Sequence, residues 1–371
     1  MGESNENPMA HPIARFHGEF GPLFKIFIFN LLLTIVTIGF YRFWAKTRVR
    51  HYLWTHTGIE GDRLEYSGTG KELLLGFLII AGVILLPFFI LPQVLLAIFA
   101  PDDVSLSSTV TGMQAVLVFL LTPAAIFRAR RYRLTRTQWR AIRGAQTGSA
   151  WVYTMKSIGF TLLNLVTLGF AYPFSRTRLA HYRLSNTWFG DKKLEFSAGA
   201  KSLYGAFIVM LLLSVLILVL DIMVVIWISK TFFPMADLQK TLETNQGMDP
   251  GKMALFAILN LLVFFITLPI PFLWYLRAEI RHFARSTKYL DLEFSFDAKY
   301  WPFVWLMVSN NLLRLITLGF AQPYVFLRLA RFVAYNLKVA GSGDFATILQ
   351  SVEPMPGTGE GMADAFDVDA F

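Results

Sequence analysis

The sequence predicts an all-α polytopic membrane protein built from internal repeats, with short β-hairpins on its cytoplasmic side. Hydrophobic residues make up 55% of the 371 and charged residues 16%, and several uncharged stretches exceed the roughly 20 residues a bilayer asks of a helix. A block T-[I/L]-G-F, then a basic helix, then a short Thr-led strand, also recurs along the chain. Recurrence of this kind marks a duplicated unit. In the two best copies Thr37, His51, Tyr52, Thr57, Leu64 and Tyr66 match Thr167, His181, Tyr182, Thr187, Leu194 and Phe196 at identical offsets. Weaker copies start near Leu117 (Arg128, Arg131, Tyr132, Thr137), Thr267 (Arg281, His282, Thr287) and Thr317 (Arg328, Arg331, Phe332), so one unit is reused five times.

Residues 1–15 read as a disordered N-terminus. Met1–Pro12 is polar, and the first apolar run ends in Arg42 rather than at a small-residue cleavage site, so no secretory signal is expected. A first membrane unit over 16–150 holds two spans: Leu73–Ala100 and Val104–Phe127 carry no charge. A second unit over 151–300 holds two more, Ser202–Ser229, charged only at Asp221, and Gly251–Leu276, charged only at Lys252. A partial third unit follows over 301–345, and the Gly-rich, acidic 346–371 reads as a disordered tail. Pro87, Pro92, Pro269 and Pro271 are expected to kink the spans that contain them.

Arg and Lys bias orients the chain. Arg128–Ala150 has seven arginines and no acid, so it is expected inside; Pro101–Thr111 has Asp102 and Asp103 and no base, so it is expected outside, as is the charge-balanced Lys230–Lys252 connection. Three further apolar segments, 26–41, 157–175 and 300–320, then pose a choice. If they span, Arg176, Arg178, Arg183, Lys192, Lys193 and Lys201 face outside, against the rule. If they re-enter or lie along the cytoplasmic side, all basic segments stay inside. Ile26–Tyr41 reaches about 24 Å as a helix against a hydrocarbon core of about 30 Å. The third segment contains Arg314, which costs roughly 2.5–3.5 kcal/mol near the bilayer centre. Both points favour re-entry over seven ordinary spans. The inner Asn30, Asn164 and Asn311 and the late Gly39, Gly169 and Gly319 suit broken helices.

Beyond each T-[I/L]-G-F, basic and apolar residues segregate at helical spacing, with Arg42, Lys46 and Arg50 on one stripe. Arginine stands eleven residues into four copies (Arg48, Arg128, Arg178, Arg328), and a base or histidine three later in all five (His51, Arg131, His181, Arg281, Arg331), on the same helix face. Arginine matches phosphate bidentately. These residues therefore read either as forks for anionic lipid headgroups or an anionic solute, or as anchors of cytoplasmic helix ends. Trp44, Trp54, Trp139, Trp188 and Tyr52 fit an interfacial aromatic belt. Thr57–Gly68 and Thr187–Gly199 alternate about a Gly-Asp turn as hairpins, and Thr287–Phe296 offers another strand. Such hairpins can pair into a small sheet that clamps the repeats.

Asp221 in an apolar helix is a candidate ion-coupling or structural residue, with Arg314 or Asn260 as expected partner. The six histidines have no metal-ligand spacing and there is no cysteine. Neither a nucleophile elbow nor a phosphate loop is present. No enzyme activity, cofactor or metal is expected. The formal charge of +9 sits beside apolar spans, which points to anionic lipid rather than nucleic acid.

The strings H-G-E-F-G at 17–21, N-L-L-L-T-I-V-T-I-G-F-Y-R-F-W-A-K at 30–46, L-E-Y-S-G-T-G-K-E-L at 64–73 and R-R-Y-R-L-T-R-T-Q-W-R-A-I-R-G at 130–144 resemble the YjgN-like family of bacterial inner-membrane proteins. The resemblance covers residues 12–345. It implies an inner-membrane, multi-pass protein and assigns no catalytic residue. Two functions follow as expectations: transport or handling of an anionic or amphipathic molecule or lipid in a cavity between repeats, or a membrane-organising scaffold that binds anionic lipid without moving it.

Overall fold

A threonine opens each of four β-hairpins because it also closes the helix before it. In the computed structural model, which describes residues 11–233, 249–341, 343, 345–353 and 355, the hydroxyls of Thr57, Thr137, Thr187 and Thr287 donate 2.8 Å bonds to the carbonyls of Leu53, Arg133, Arg183 and Phe283. The last helical carbonyls have no intrahelical donor, so a hydroxyl four residues on satisfies one while the backbone turns into a strand. The helices closed in this way are α2 (Arg42–Thr55), α5 (Val104–Arg136), α7 (Tyr172–Leu184) and α10 (Pro269–Arg285). They lead into β3–β4 (Thr57–Ile59, Asp62–Tyr66), β5–β6 (Thr137–Trp139, Ile142–Gln146), β7–β8 (Thr187–Phe189, Lys192–Lys193) and β10–β11 (Thr287–Tyr289, Leu292–Phe296). The two-residue turns adopt positive φ, at Glu60 and Gly61 (47° and 89°) and at Arg140 and Ala141 (51° and 61°), the twist that tight hairpins prefer.

These hairpins pair side by side into a seven-stranded and a five-stranded sheet, and the sheets join at both edges. Residues 11–16 form one strand that bends at Ile13. Its first half, β1 (His11–Pro12), pairs with β12 (Leu337–Ala340), and its second half, β2 (Ala14–Phe16), pairs with β3. The strand 192–196 does the same at Leu194: β8 stays with β7, and β9 (Glu195–Phe196) pairs with β10. Ile13 N–H to Leu337 O (3.3 Å) and Leu194 N–H to Thr187 O (2.9 Å) carry the ladder through each bend. The twelve short strands are thus ten continuous ones in a closed antiparallel ring, and among the described residues neither sheet keeps an open edge. The ring also has a chain-end closure, since its first strand meets its last.

The register of the ring dictates the path of the helices. Phe16 pairs with Thr57, Tyr66 with Thr137, Gln146 with Thr187, Phe196 with Thr287, and Phe296 with Leu337. In every case the residue that leaves the ring faces the residue that re-enters it, within the roughly 5 Å of an antiparallel pair. Each of the five helical excursions therefore returns to its starting point, and any excursion that meets a bilayer crosses it an even number of times. The second holds Gly70–Phe99 and Val104–Arg136, and the fourth holds Lys201–Phe232 and Pro250–Arg285. These four, of 30 to 36 residues each, are the apolar helices long enough to span among the described residues. They bury little of their apolar windows, 6% for Lys201–Phe232, as lipid-facing helices do. The first of them is π-helical over Ala81–Ile90, around Pro87; the wider turn relieves the clash and missing donor of the proline.

The other excursions are short. The first is α1 (Phe20–Val36) and α2, the third α6 (Ala150–Val166) and α7, and the fifth α11 (Tyr300–Ile316) and α12 (Gln322–Asn336). In each, a helix of 17 residues ends in the T-[I/L]-G-F turn and a basic helix follows. Segments 26–41 and 157–175 thus run out from the ring and come back to it.

The described chain forms two compact units. One comprises the residues up to Gly199, Phe283–Asp297, and those from Phe320 on, and so contains the whole ring; the other comprises Ala200–His282 and Ala298–Gly319. In the first, one buried cluster lines the ring (Tyr289, Leu292, Val339, Ile348), and another joins α1, α2 and α12 (Leu23, Tyr52, Leu327). In the second, Phe207 stands edge-on to Tyr275 and Trp274 to Tyr300, and Arg277 Nε donates 2.6 Å to Ala298 O. This division differs from the expected serial units 16–150, 151–300 and 301–345, because strand pairing draws 283–297 and the chain ends to the ring. Residues 11–15, expected in a disordered N-terminus, form strands with Phe16, and Ile348, in the expected tail, packs into the ring cluster. Residues 1–10, 234–248 and 356–371 of the expected ends and outer connection lie outside the described residues.

Candidate functional site

The T-[I/L]-G-F turn is a helix cap built for an apolar tip. Thr37 Oγ1 donates to Leu33 O (2.7 Å) and accepts from Tyr41 N–H (2.9 Å), while Gly39 N–H reaches back to Thr34 O (2.7 Å). Thr167 repeats both hydroxyl bonds (2.8 and 3.1 Å), and Thr317 repeats the first (2.6 Å). Gly39, Gly169 and Gly319 sit at φ of 88° to 89°, the left-handed region glycine alone enters freely. The residue before each is forced there too: Ile38, Leu168 and Leu318 at 49°, 50° and 48°, at a cost of roughly 1–2 kcal/mol each. That strain holds their side chains outward, 91%, 87% and 87% exposed.

At the other end of the hairpin, the repeated tyrosine is a fastener. Tyr52 Oη accepts from Glu19 N–H (2.8 Å) and donates to Glu19 O (2.9 Å); Tyr182 does the same with Ser149 (2.9 and 3.0 Å). This ties the start of α1 or α6 to the end of the following basic helix.

Between α1, α2 and α12 lies a cleft of about 260 Å³. Phe27, Leu31, Val49 and Phe326 give it apolar walls, and Lys46 and Arg50 bring positive charge. Asn30, 5% exposed, also lines it: its Nδ2 donates to Ala45 O (3.3 Å), while its Oδ1 is buried without a donor. A buried carbonyl left unpaired costs roughly 1–3 kcal/mol, so the cleft is poised to accept a hydrogen-bond donor. Arg50, 3% exposed, is fixed by a 3.2 Å bond from Nη1 to Tyr66 Oη.

The arginines singled out by spacing are held apart from this cleft. Arg48 lies over Phe29 and Tyr41 (5.0 and 5.5 Å), Arg178 over Phe174 (5.2 Å) and Arg328 over Tyr324 (5.7 Å). Arg128 is exposed on α5. Arg131 donates to Gly148 O and lies 5.4 Å over Phe127, and Arg331 donates to Gly18 O (2.8 Å). Arg48, Arg131, Arg178 and Arg328 are thus seated over aromatic rings, in the cation–π geometry that guanidinium favours. Asp221 is buried in the second unit, but its bond is with Thr267 (2.8 Å to Oδ2), not with Arg314 or Asn260; the latter instead donates to Phe256 O. Arg314 is half-buried near the end of α11.

Spacing also missed several residues. Lys46 and Arg50 stood on a recognised stripe, and their i, i+4 spacing facing the inner Asn30 was the available signal. Glu72 accepts from Tyr132 Oη (2.7 Å) and Arg136 Nη2 (2.6 Å) while closing a capping box with Thr69. Trp139, expected in an interfacial belt, is instead 4% exposed inside the ring. Arg143, 8% exposed, holds the C-terminal segment through Ser351 O (2.9 Å). Asp191 and Leu349 exchange two bonds, Leu349 N–H to Asp191 Oδ1 (2.9 Å) and Asp191 N–H to Leu349 O (3.0 Å). The first of these holds the Asp191 carboxyl below its ordinary pKa.

A family model described as a bacterial protein of unknown function, DUF898, matches residues 11–365. Proteins called inner membrane protein YjgN are similar over shorter stretches. The one from Escherichia coli O157:H7 is 27% identical over 176 residues, 46% of this chain and 40% of that protein. The one from Salmonella typhimurium is 28% identical over 31% of this chain and 27% of its own length. The chain thus spans less than half the length of the curated relatives it matches. No solved structure matches.

Proposed function

The chain belongs to the DUF898 family and is an integral protein of the bacterial inner membrane, and we propose that it handles an anionic amphipath, a phosphate-bearing lipid or lipid-like molecule, at the cytoplasmic leaflet. On this reading the five helix-and-hairpin segments are copies of one module, and the ring with its basic surround faces the cytoplasm, where Lys and Arg concentrate. The tips at Ile38, Leu168 and Leu318 dip into the adjoining leaflet, since side chains so exposed are unfavourable in water. The seated arginines of each module meet headgroups at the interface. The reading involves no catalysis, cofactor or nucleic acid.

The observation that carries it is the cleft beside the first tip. Apolar walls suit a hydrocarbon chain, Lys46 and Arg50 suit an anionic group, and Asn30 Oδ1 awaits a hydroxyl or other donor. The test is native mass spectrometry of purified protein, counting anionic phospholipid retained after detergent exchange. A charge-assisted bond contributes about 1.5–3 kcal/mol, so Lys46→Gln should weaken retention by about tenfold or more. Asn30→Leu should also weaken it, whereas Arg128→Gln should change it little. Unchanged retention in both cleft variants would overturn the ligand role. One observation favours a second reading in that event: the strained apolar tips alone suffice for a scaffold that wedges into one leaflet.

A further inference from the structure

We propose that the interior of the β-ring is a second binding site, a dry chamber that takes a single hydrocarbon chain such as a lipid acyl tail, entered from the membrane end. This goes beyond the cleft and shares no residue with it. Eight strands enclose an interior that side chains just fill; ten enclose more. Accordingly a cavity of about 320 Å³ persists between the two sheets, lined by Ile59, Leu64, Trp139, Phe189, Leu292 and Phe294 among others, and by no charged side chain.

The polar atoms that reach this lining are already used. The hydroxyls of Thr137 and Thr187 serve helix carbonyls, Tyr289 Oη donates to Phe189 O (2.9 Å), Trp139 Nε1 to Ile59 O (3.1 Å) and Trp188 Nε1 to Thr147 Oγ1 (3.1 Å). A buried water needs two to four polar partners, so the chamber repels water and accepts hydrocarbon. Its two ends differ. At the turn end Phe345 enters the lining, edge-on to Trp139, on a segment fastened by Arg143, Gln350 and Asp191. At the other end Leu134 of α5 enters it, where the helices leave for the membrane. A chain therefore comes from the bilayer side.

The full-length protein in lipid nanodiscs, photolysed with a diazirine-bearing palmitic acid and mapped by peptide mass spectrometry, tests this. Adducts are expected on ring peptides carrying Trp139, Phe189 or Leu292, besides those on the spanning helices. Leu292→Trp, which fills the chamber, should cut the ring adducts at least tenfold and leave the helix adducts unchanged. If that variant does not fold, Leu64→Phe should cut them severalfold. Asn30→Leu should leave them intact, so failure of the cleft and failure of the chamber are distinguishable. Absence of ring adducts, or ring adducts indifferent to chamber filling, overturns the proposal.

Discussion

Deleting residues 11–16 is expected to abolish the native fold, although the six residues contain no helix and three of them, His11, Pro12 and Arg15, are exposed. This strand is where the ring closes. It pairs with Val339 and Lys338 on one side and with Ile59, Gly58 and Thr57 on the other. Its Ile13 packs into the ring cluster, and its Phe16 packs against Leu23, Tyr52 and Leu327. Burial of two large apolar side chains contributes about 1.5–3 kcal/mol each, and each ladder bond adds about 1 kcal/mol. The sum rivals the whole stability of a typical domain, about 5–15 kcal/mol. The deletion also leaves β3 and β12 with open edges, the arrangement that invites aggregation. Size-exclusion and thermal unfolding in detergent should find little or no monodisperse folded protein. A truncated chain that melts within a few degrees of the intact one would show the ring to be incidental.

Glu72→Ala should be the most damaging single substitution near the membrane surface. Its carboxylate, 25% exposed, binds Arg136, itself 12% exposed, at 2.6 Å, accepts from Tyr132 at 2.7 Å, and caps the first turn of the helix that begins at Gly70. The substitution removes a charge-assisted bond worth about 1.5–3 kcal/mol, leaves the Tyr132 hydroxyl without this acceptor, and deletes a cap worth about 1 kcal/mol. Glu72→Gln has one acceptor oxygen, enough to keep the cap and the Tyr132 bond but not the bond from Arg136 or the charge, so it should cost less. Denaturant unfolding of the two variants checks this order; equal effects would mean that the cap and the Tyr132 bond contribute nothing beyond the ion pair.

How much of this could be read beforehand follows from the length of each pattern. The four spans were legible because a bilayer asks for a long uncharged run, and such runs are conspicuous. The return of the first and third excursions to the ring follows from strands that pair across each of them, a pairing the short strands did not announce. Thr57 and Thr187 marked hairpins because the same hydroxyl closes a helix each time. Ring closure was not legible. Its last hairpin is divided between the two ends of the chain, and strands of two or three residues carry too little alternation to see. The seating of Arg48 and Arg178 on aromatic rings was hidden for a different reason, because periodicity gives the helix face of a residue and not what packs there. Asp221 found Thr267 rather than an arginine through helix packing that no spacing rule supplies.

Central to the account is that every helical excursion comes back to one face. The chain contains no cysteine, so single cysteines at Ser67, Ser107 and Ser197 can be labelled with a membrane-impermeant maleimide in right-side-out and inverted inner-membrane vesicles. Ser67 and Ser197, just past the ends of ring strands, should react only in inverted vesicles, and Ser107, in the first turn of the second span, only in right-side-out ones. Reaction of the Ser197 position from the same side as Ser107 would mean that 157–175 crosses the membrane, and it would contradict the shared face on which ring, tips and cleft are all placed.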